Sequence, residues 1–457
     1  VADPPDDNVH PFPKQKRARK TPPSPPAQAP HGLTEQGVMR LFTEANKDRF
    51  RYNNTSKTWY IWREHRWRED TRSRAFEAVL ALCRSLGDGA TLNKVRFARA
   101  VEEGARVQPE FSTAAEDWDR DPWLLGTPGG VVDLKTGVLR EGRPEDLISK
   151  IAAVAPAERE DCQRWRKFLD EAFEGKADNI AFFKRMIGYF LTGLTSEESL
   201  LFICGKPGTG KGTATKTLTT MMRDYALTVP ISMFMDSGWR ALEYYRAKLQ
   251  GRRLIVAAEP EKGSMWNDAF VNELTGGDRV SARHPAGRPF DFDPSHKVCI
   301  HGEQVPELKS VHTGLKRRLR IMPVNHTPAA PDTNLKVALQ AEYGGILRWA
   351  INGCLDWQKD GMRPTADVTA AVDDYFARQD TLARWIGECC DLYTTYRTPP
   401  GRLLQSYNTW AKNNNERLIR SNDLHEILNK KGFPTKALNG KNYVHGITIV
   451  LARGDGD

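Results

Sequence analysis

The chain has 457 residues, 39% hydrophobic and 27% charged, and its 67 lysines and arginines against 58 acidic residues give a formal charge of +9. That length allows two to four domains, and the basic excess suits a polyanionic partner as well as it suits a plain soluble enzyme. Seven cysteines without a CxxC pair argue against a zinc ribbon and a secreted disulfide framework and fit a reducing cytoplasm, while no apolar run is long enough for a membrane span.

Residues 1–32 carry nine prolines and a basic cluster, Lys14, Lys16, Arg17, Arg19 and Lys20. With few large apolar groups they cannot repay the entropy of folding, and they read as a disordered tail or linker. Order begins near Leu33. Trp59-Tyr60-Ile61-Trp62 and Trp67, around Glu64-His65, predict an aromatic β-hairpin. Phe76, Val79, Leu80 and Cys83 follow at helix spacing. Turn residues return over 125–137 and predict two short strands. Residues 162–194 read as helical, with Trp165, Phe168, Leu169, Phe173, Phe182, Phe183, Met186 and Ile187 on apolar faces. From Leu200 the pattern becomes strand, loop, helix, strand, which predicts an α/β sheet core. Residues 335–390 read as helices. Residues 400–451 predict two helices and a two-stranded wing turning at Asn439-Gly440.

Gly205-Lys206-Pro207-Gly208-Thr209-Gly210-Lys211-Gly212-Thr213 nearly matches GxxxxGK[ST] and lies between a predicted strand and a predicted helix. Glycines let backbone N–H groups curl around phosphate oxygens, and the helix N-terminus adds partial positive charge. Lys211 is placed to reach the β- and γ-phosphates of a nucleotide. Gly212 stands where a serine or threonine normally helps to hold magnesium, so Thr213 is the next available hydroxyl.

The apolar run Leu254–Ala258 ends in Glu259-Pro260-Glu261. Alone it would read as a buried strand ending in a solvated acidic turn. Beside the glycine loop, Glu259 is a candidate for the metal or its water, and Glu261 for polarising an attacking water. Arg283, His284 and Arg288 surround a Pro-Ala-Gly turn and could follow a phosphate backbone, although composition alone favours an exposed basic turn. Arg317 and Arg318 read either as a solvated basic face or as an arginine that stabilises a leaving γ-phosphate.

In this order the motifs resemble those of the superfamily 3 helicases, in the branch of phage, plasmid and poxvirus primase–helicases. The resemblance rests on the Gly205–Thr213 loop, Glu259-Pro260-Glu261, Leu274–Asp278 with Ser281-Ala282-Arg283, and the Arg317-Arg318 pair. Gly126–Leu134 and Gly345–Ala350 extend it to roughly residues 40–450. It implies an α/β AAA+ P-loop ATPase core with a mainly helical N-terminal domain and a C-terminal winged-helix domain. The implied divisions are a helicase-preceding domain over 33–160, the ATPase core with a helical lead-in over 161–334, a helical lid or collar over 335–395 and the winged helix over 396–457.

The same resemblance implies ATP with Mg2+, a hexameric ring, and single-stranded and forked DNA as partners. Arg317 or Arg318 would reach a neighbouring subunit's site, and Arg283, His284 and Arg288 would line a central channel. The implied activity is ATP-dependent DNA unwinding in the replication of a phage or mobile element, in the cytoplasm of the host. Where the family carries an asparagine after the Val298–Ile300 strand, this chain has Glu303 beside Gln304. Either Gln304 supplies the amide that meets the γ-phosphate, or hydrolysis is impaired and the chain is an ATP-binding replication initiator or scaffold. No primase site is legible. The first residue is Val rather than Met, which leaves room for an upstream primase domain or loader.

Overall fold

The computed structural model describes residues 34–87, 91–236, 245–283, 289–308, 313–330 and 332–450. The proline-rich tail, His284 and Arg288 lie outside the described residues. The chain divides into two compact units, Val1–Lys47 with Arg74–Phe111, and Asp48–Ser73 with Ser112–Asp457.

The first unit holds the helices α1 (Glu35–Asn46), α2 (Arg74–Ser85) and α3 (Val95–Ala105). The Thr34 hydroxyl caps α1 by accepting from the Gly37 amide at 3.2 Å. Helix α1 buries Val38 and Phe42, and the Phe42 ring meets Phe111 at 5.5 Å. Val79 and Cys83 of α2 and Phe97, Ala98 and Val101 of α3 are buried in the same way.

The second unit opens with a sheet of β1 (Phe50–Asn53), β2 (Thr58–Arg63), β3 (Arg66–Glu69) and β4 (Ser112–Thr113), in the order β3-β2-β1-β4. Glu64 and His65 both have positive φ, as a two-residue hairpin turn between right-twisted strands requires. A second antiparallel sheet follows, β5 (Leu124–Thr127), β6 (Gly130–Asp133) and β7 (Val138–Arg140). The stretch expected to be mainly helical is therefore mixed, with seven strands beside three α-helices among the described residues. Its aromatic and glycine-rich segments favour pleated hairpins over helix.

Helices α4 (Gln163–Ala172) and α5 (Ala177–Leu191) lead into a five-stranded parallel sheet. Its members are β8 (Leu200–Cys204), β9 (Ala226–Thr228), β10 (Leu254–Ala258), β13 (Lys297–Gly302) and β14 (Leu319–Pro323), in the order β14-β8-β13-β10-β9. The strands are nearly continuous apolar runs because both faces are covered. Leu201, Ile203, Val256, Cys299 and Met322 pack into one core, and Leu200, Phe202, Ile255, Ala257, Val298 and Ile300 into the other. Between these strands lie α6 (Lys211–Met222), α7 (Asp268–Thr275), the hairpin of β11 (Val280–Arg283) with β12 (Pro289–Phe292), and α8 (Thr313–Arg318).

Two buried cations anchor the N-terminal edge of the parallel sheet. Arg253 donates to the Leu191 carbonyl at 2.5 Å and the Leu124 carbonyl at 2.6 Å, and lies 4.5 Å over the Tyr225 ring. Lys297 donates to the carbonyls of Thr192 and Ser295 and lies 5.1 Å over the Tyr189 ring. Carbonyls at the end of α5 thus solvate charges that water cannot reach. Burial still holds the Lys297 ammonium well below its ordinary pKa.

Helices α9 (Leu335–Ala341), α10 (Tyr343–Asp360), α11 (Ala366–Gln379) and α12 (Thr381–Cys389) follow. The chain ends in a sheet of order β15-β17-β16, from β15 (Cys390–Thr398), β16 (Thr435–Leu438) and β17 (Lys441–Ile449), with α13 (Pro400–Asn413) and α14 (Ser421–Lys430). Asn439 and Gly440, both at positive φ, make the β16–β17 turn. Among the described residues no helix is long and apolar enough to cross a membrane.

Candidate nucleotide-binding site

The parallel sheet brings the glycine loop and the acidic strand end to one edge. Gly205–Gly210 leaves the C-terminal end of β8, and α6 begins at Lys211. The loop conformation is one that glycine alone adopts without strain at two points, Gly208 at φ 84° and Gly210 at φ 91°. Packing restricts the loop further. A Cβ on Gly205 would lie 1.9 Å from the Val324 carbonyl oxygen, and one on Gly210 would lie 2.6 Å from the Phe168 ring. Lys211 is buried, and its ammonium donates to the carbonyls of Gly205 at 2.7 Å and Lys206 at 2.8 Å. The Thr209 hydroxyl donates to the Lys206 carbonyl at 3.0 Å. Lys206, Pro207 and Gly208 are exposed on the outer turn, and Thr213 is half-buried on the first turn of α6.

Strand β10 lies two places from β8, separated by β13. It ends at Ala258, and Glu259 turns out with φ 51° while its amide donates to the His301 carbonyl at 2.8 Å. That left-handed turn ends the strand alternation that could have related Glu259 to Glu261. Both carboxylates are exposed, and among the described residues no contact joins Glu261 to the glycine loop. The Gly205 amide donates to the Gly302 carbonyl at 3.2 Å. Pro260 packs so closely on Gly302 that a Cβ there would sit 2.7 Å from its ring.

One side chain at this edge had no role in the sequence reading. His301, on β13, is buried, and its Nδ1 lies 3.5 Å from Oε1 of Glu259. Burial lowers its pKa; the Glu259 carboxylate opposes that shift and the Lys211 ammonium adds to it. Nδ1 is buried and makes no full hydrogen bond. A Cβ on Gly212 would meet His301 Cε1 at 3.8 Å, an ordinary contact. The available signal was a histidine ending an apolar run, next to the run that ends in Glu259. Glu303 and Gln304 follow on the exposed surface, with the Glu303 carbonyl accepting from the Cys204 thiol at 3.3 Å.

These residues fit an anion with its cation. Among the described residues the lysine ammonium bonds only to its own loop's carbonyls, Gly205 and Gly210 leave no room for a side chain, and a buried imidazole nitrogen beside a carboxylate makes no full hydrogen bond.

The arginine pair lies at the opposite edge. In the parallel register Leu319 pairs with Leu200 and Pro323 with Cys204. Leu319 therefore stands four residue steps, about 13 Å, from the strand ends that carry the loop, and Arg317 and Arg318 come before it. Arg318 is buried, donating to the Gly314 carbonyl at 3.1 Å and pairing with Glu198 at 3.2 Å. Arg317 is 60% exposed and meets the same Glu198 carboxylate at 2.8 Å. Glu198 precedes β8 and was not singled out by its sequence context. Arg283 ends β11, exposed, and pairs with Pro289 of β12; His284 and Arg288 lie outside the described residues.

A parallel α/β sheet with a glycine loop and an acidic turn on one edge defines a protein with a candidate phosphate site. Comparison with known proteins narrows the class. Residues 39–174 match the family described as "D5 N terminal like". The chain is 25% identical over 328 residues to the putative helicase L207/L206 of Acanthamoeba polyphaga mimivirus, covering 65% of this chain and 34% of that protein. It is 26% identical over 295 residues to the putative helicase 022R of Frog virus 3 (isolate Goorha), covering 50% of this chain and 30% of that protein. The chain thus spans about a third of the length of these curated relatives. In fold it is similar to the apo structure of the NrS-1 C terminal region, with a TM-score of 0.54 at 10% identity over 90% of this chain and 98% of that one. The A form apo structure of that region matches with the same values. The chain is similar to the superfamily 3 primase–helicases, as its motif order implies.

Proposed function

We propose that this chain is the ATP-driven motor of a DNA helicase, with an AAA+ P-loop core and a C-terminal winged-helix domain. One observation carries this reading: Lys211 and Glu259 stand at the same end of a sheet ordered β14-β8-β13-β10-β9, where His301 lies 3.5 Å from Glu259. ATP would bind the Gly205–Thr213 loop, with its phosphate charge met by Lys211 and by Mg2+ held through Glu259 and Thr213. Glu261 and Gln304 would orient and polarise the attacking water. Positioning and charge stabilisation suffice for such a transfer.

The exposed Arg317 is the better candidate for a neighbour's site, and the buried Arg318 holds the Glu198 carboxylate that Arg317 leans on. A hexameric ring would place Arg283, His284 and Arg288 in its channel, on one strand of a DNA fork. The setting is the replication of a phage or other mobile element in the cytoplasm of its host.

The test is strand displacement on a forked duplex with ATP and Mg2+, comparing the chain with Lys211→Ala. Unwinding that disappears in the variant supports the motor. A second reading, an ATP-binding initiator or scaffold with weak hydrolysis, is favoured by the exposed Glu303 carboxylate and by the missing hydroxyl at Gly212. Tight DNA binding with turnover near background would select it.

A further inference from the structure

The missing hydroxyl at Gly212 and the buried imidazole of His301 are neighbours. Gly212 is the position after Lys211 at which a hydroxyl normally reaches the cation of a bound nucleotide. A Cβ at that position would make an ordinary contact with Cε1 of His301 at 3.8 Å. The main chain at His301 is held by pairing, since the Glu259 amide donates to the His301 carbonyl at 2.8 Å. The imidazole Nδ1 is buried, makes no full hydrogen bond and lies 3.5 Å from Oε1 of Glu259. A nitrogen and a carboxylate oxygen bound side by side to one small dication are separated by roughly 3–3.5 Å, given metal–ligand distances of about 2.0–2.2 Å.

We propose that His301 is a direct ligand of the divalent cation that accompanies the nucleotide, replacing the hydroxyl absent at Gly212, and that the site consequently favours Mn2+ and similar transition dications over Mg2+. The inference rests on the nucleotide-site reading above. Imidazole is a strong ligand for transition dications, whereas Mg2+ prefers oxygen and retains its waters. Among the described residues no three histidine, cysteine or carboxylate side chains converge on a metal position. The remainder of the cation's shell therefore falls to phosphate oxygens and water, which ties cation binding to nucleotide binding.

The experiment is pulsed electron paramagnetic resonance of Mn2+ bound to the full chain with a non-hydrolysable ATP analogue, beside a separate fluorescence titration of nucleotide binding. The expected result is nitrogen modulation from a directly bound imidazole, which changes to the 15N pattern in protein labelled at histidine. His301→Gln should abolish the modulation and weaken Mn2+ binding roughly tenfold or more. His326→Gln, which alters another imidazole on the segment following β14, should leave it intact. The labelled unmodified chain gives the primary result, so the test does not depend on a variant that folds. Nucleotide and Mn2+ bound without nitrogen coupling, or coupling that survives His301→Gln, would overturn the ligand assignment alone. Absence of nucleotide binding would overturn the site reading and this inference together.

Discussion

At the scale of single residues, burial sets the chemistry more than proximity of charge does. His296 precedes Lys297 at the N-terminal edge of the parallel sheet, and burial, with Lys297 acting in the same direction, pushes its pKa from 6.5 down to about 3. The folded chain therefore holds this ring neutral where the unfolded chain protonates it. The associated stability is complete above pH 6.5 and is lost as pH falls from 6.5 towards 3, at up to about 1.4 kcal/mol per pH unit. The depressed pKa of His301 acts with the same sign. Urea denaturation should thus show a loss of about 1 kcal/mol between pH 7 and pH 5.5 from His296 alone, before most carboxylates titrate. His296→Gln should flatten that slope, and an unchanged slope would show that the ring is not held neutral. Arg318 and Arg317 separate on the same principle. Removing the buried Arg318 takes the donor from the Gly314 carbonyl and leaves Glu198 only the exposed Arg317, so Arg318→Ala should cost about 2 kcal/mol of stability. Arg317→Ala removes a largely exposed pair and should move the denaturation midpoint little.

At the scale of elements, what could be read from the sequence is what local rules determine. The strand, glycine loop and helix over 200–222 follow from an apolar run, a set of positive-φ positions and a good helix start, all within one short window. The hairpin turns at Glu64-His65 and Asn439-Gly440 are equally local. The anchoring of the sheet was not legible, because Arg253 bonds to carbonyls 62 and 129 residues away and Lys297 to one 105 residues away. His301 and Glu198 gained their significance in the same way, from neighbouring strands that are distant in sequence. The glycines of the loop also divide by structure where the motif treats them alike. Gly210→Ala would strain a φ of 91° and drive a methyl group into the Phe168 ring, so it should abolish nucleotide binding and cost stability by about 1–3 kcal/mol. Gly212→Ser meets nothing nearer than 3.8 Å and should fold as the parent does. A calorimetric scan of both variants, with nucleotide titration, checks the contrast, and equal destabilisation would contradict it.

At the scale of the whole molecule, the parallel register decides where a complete site can form. The loop and Glu259 occupy the C-terminal edge of the sheet, while Arg317, near the end of α8, leads into β14 at the other edge, where the first residue of that strand lies about 13 Å away along the strand direction. An arginine side chain does not cover that distance, so Arg317 cannot serve the site of its own chain and must serve that of a second copy if it serves any. Hydrolysis should then depend on protein concentration and reach its plateau only when copies associate. Subunit mixing gives the sharper prediction. Lys211→Ala retains its arginine and loses its loop, while Arg317→Ala retains its loop and loses its arginine, so each should be inactive alone. At equal amounts and random assembly, about a quarter of the interfaces pair an intact loop with an intact arginine. Turnover should accordingly return to about a quarter of the parent rate if sites fire independently, or less if the ring requires consecutive firing. Activity of Arg317→Ala by itself would remove the arginine from the mechanism. Two inactive variants that associate but never complement would leave its service to a neighbouring site without support.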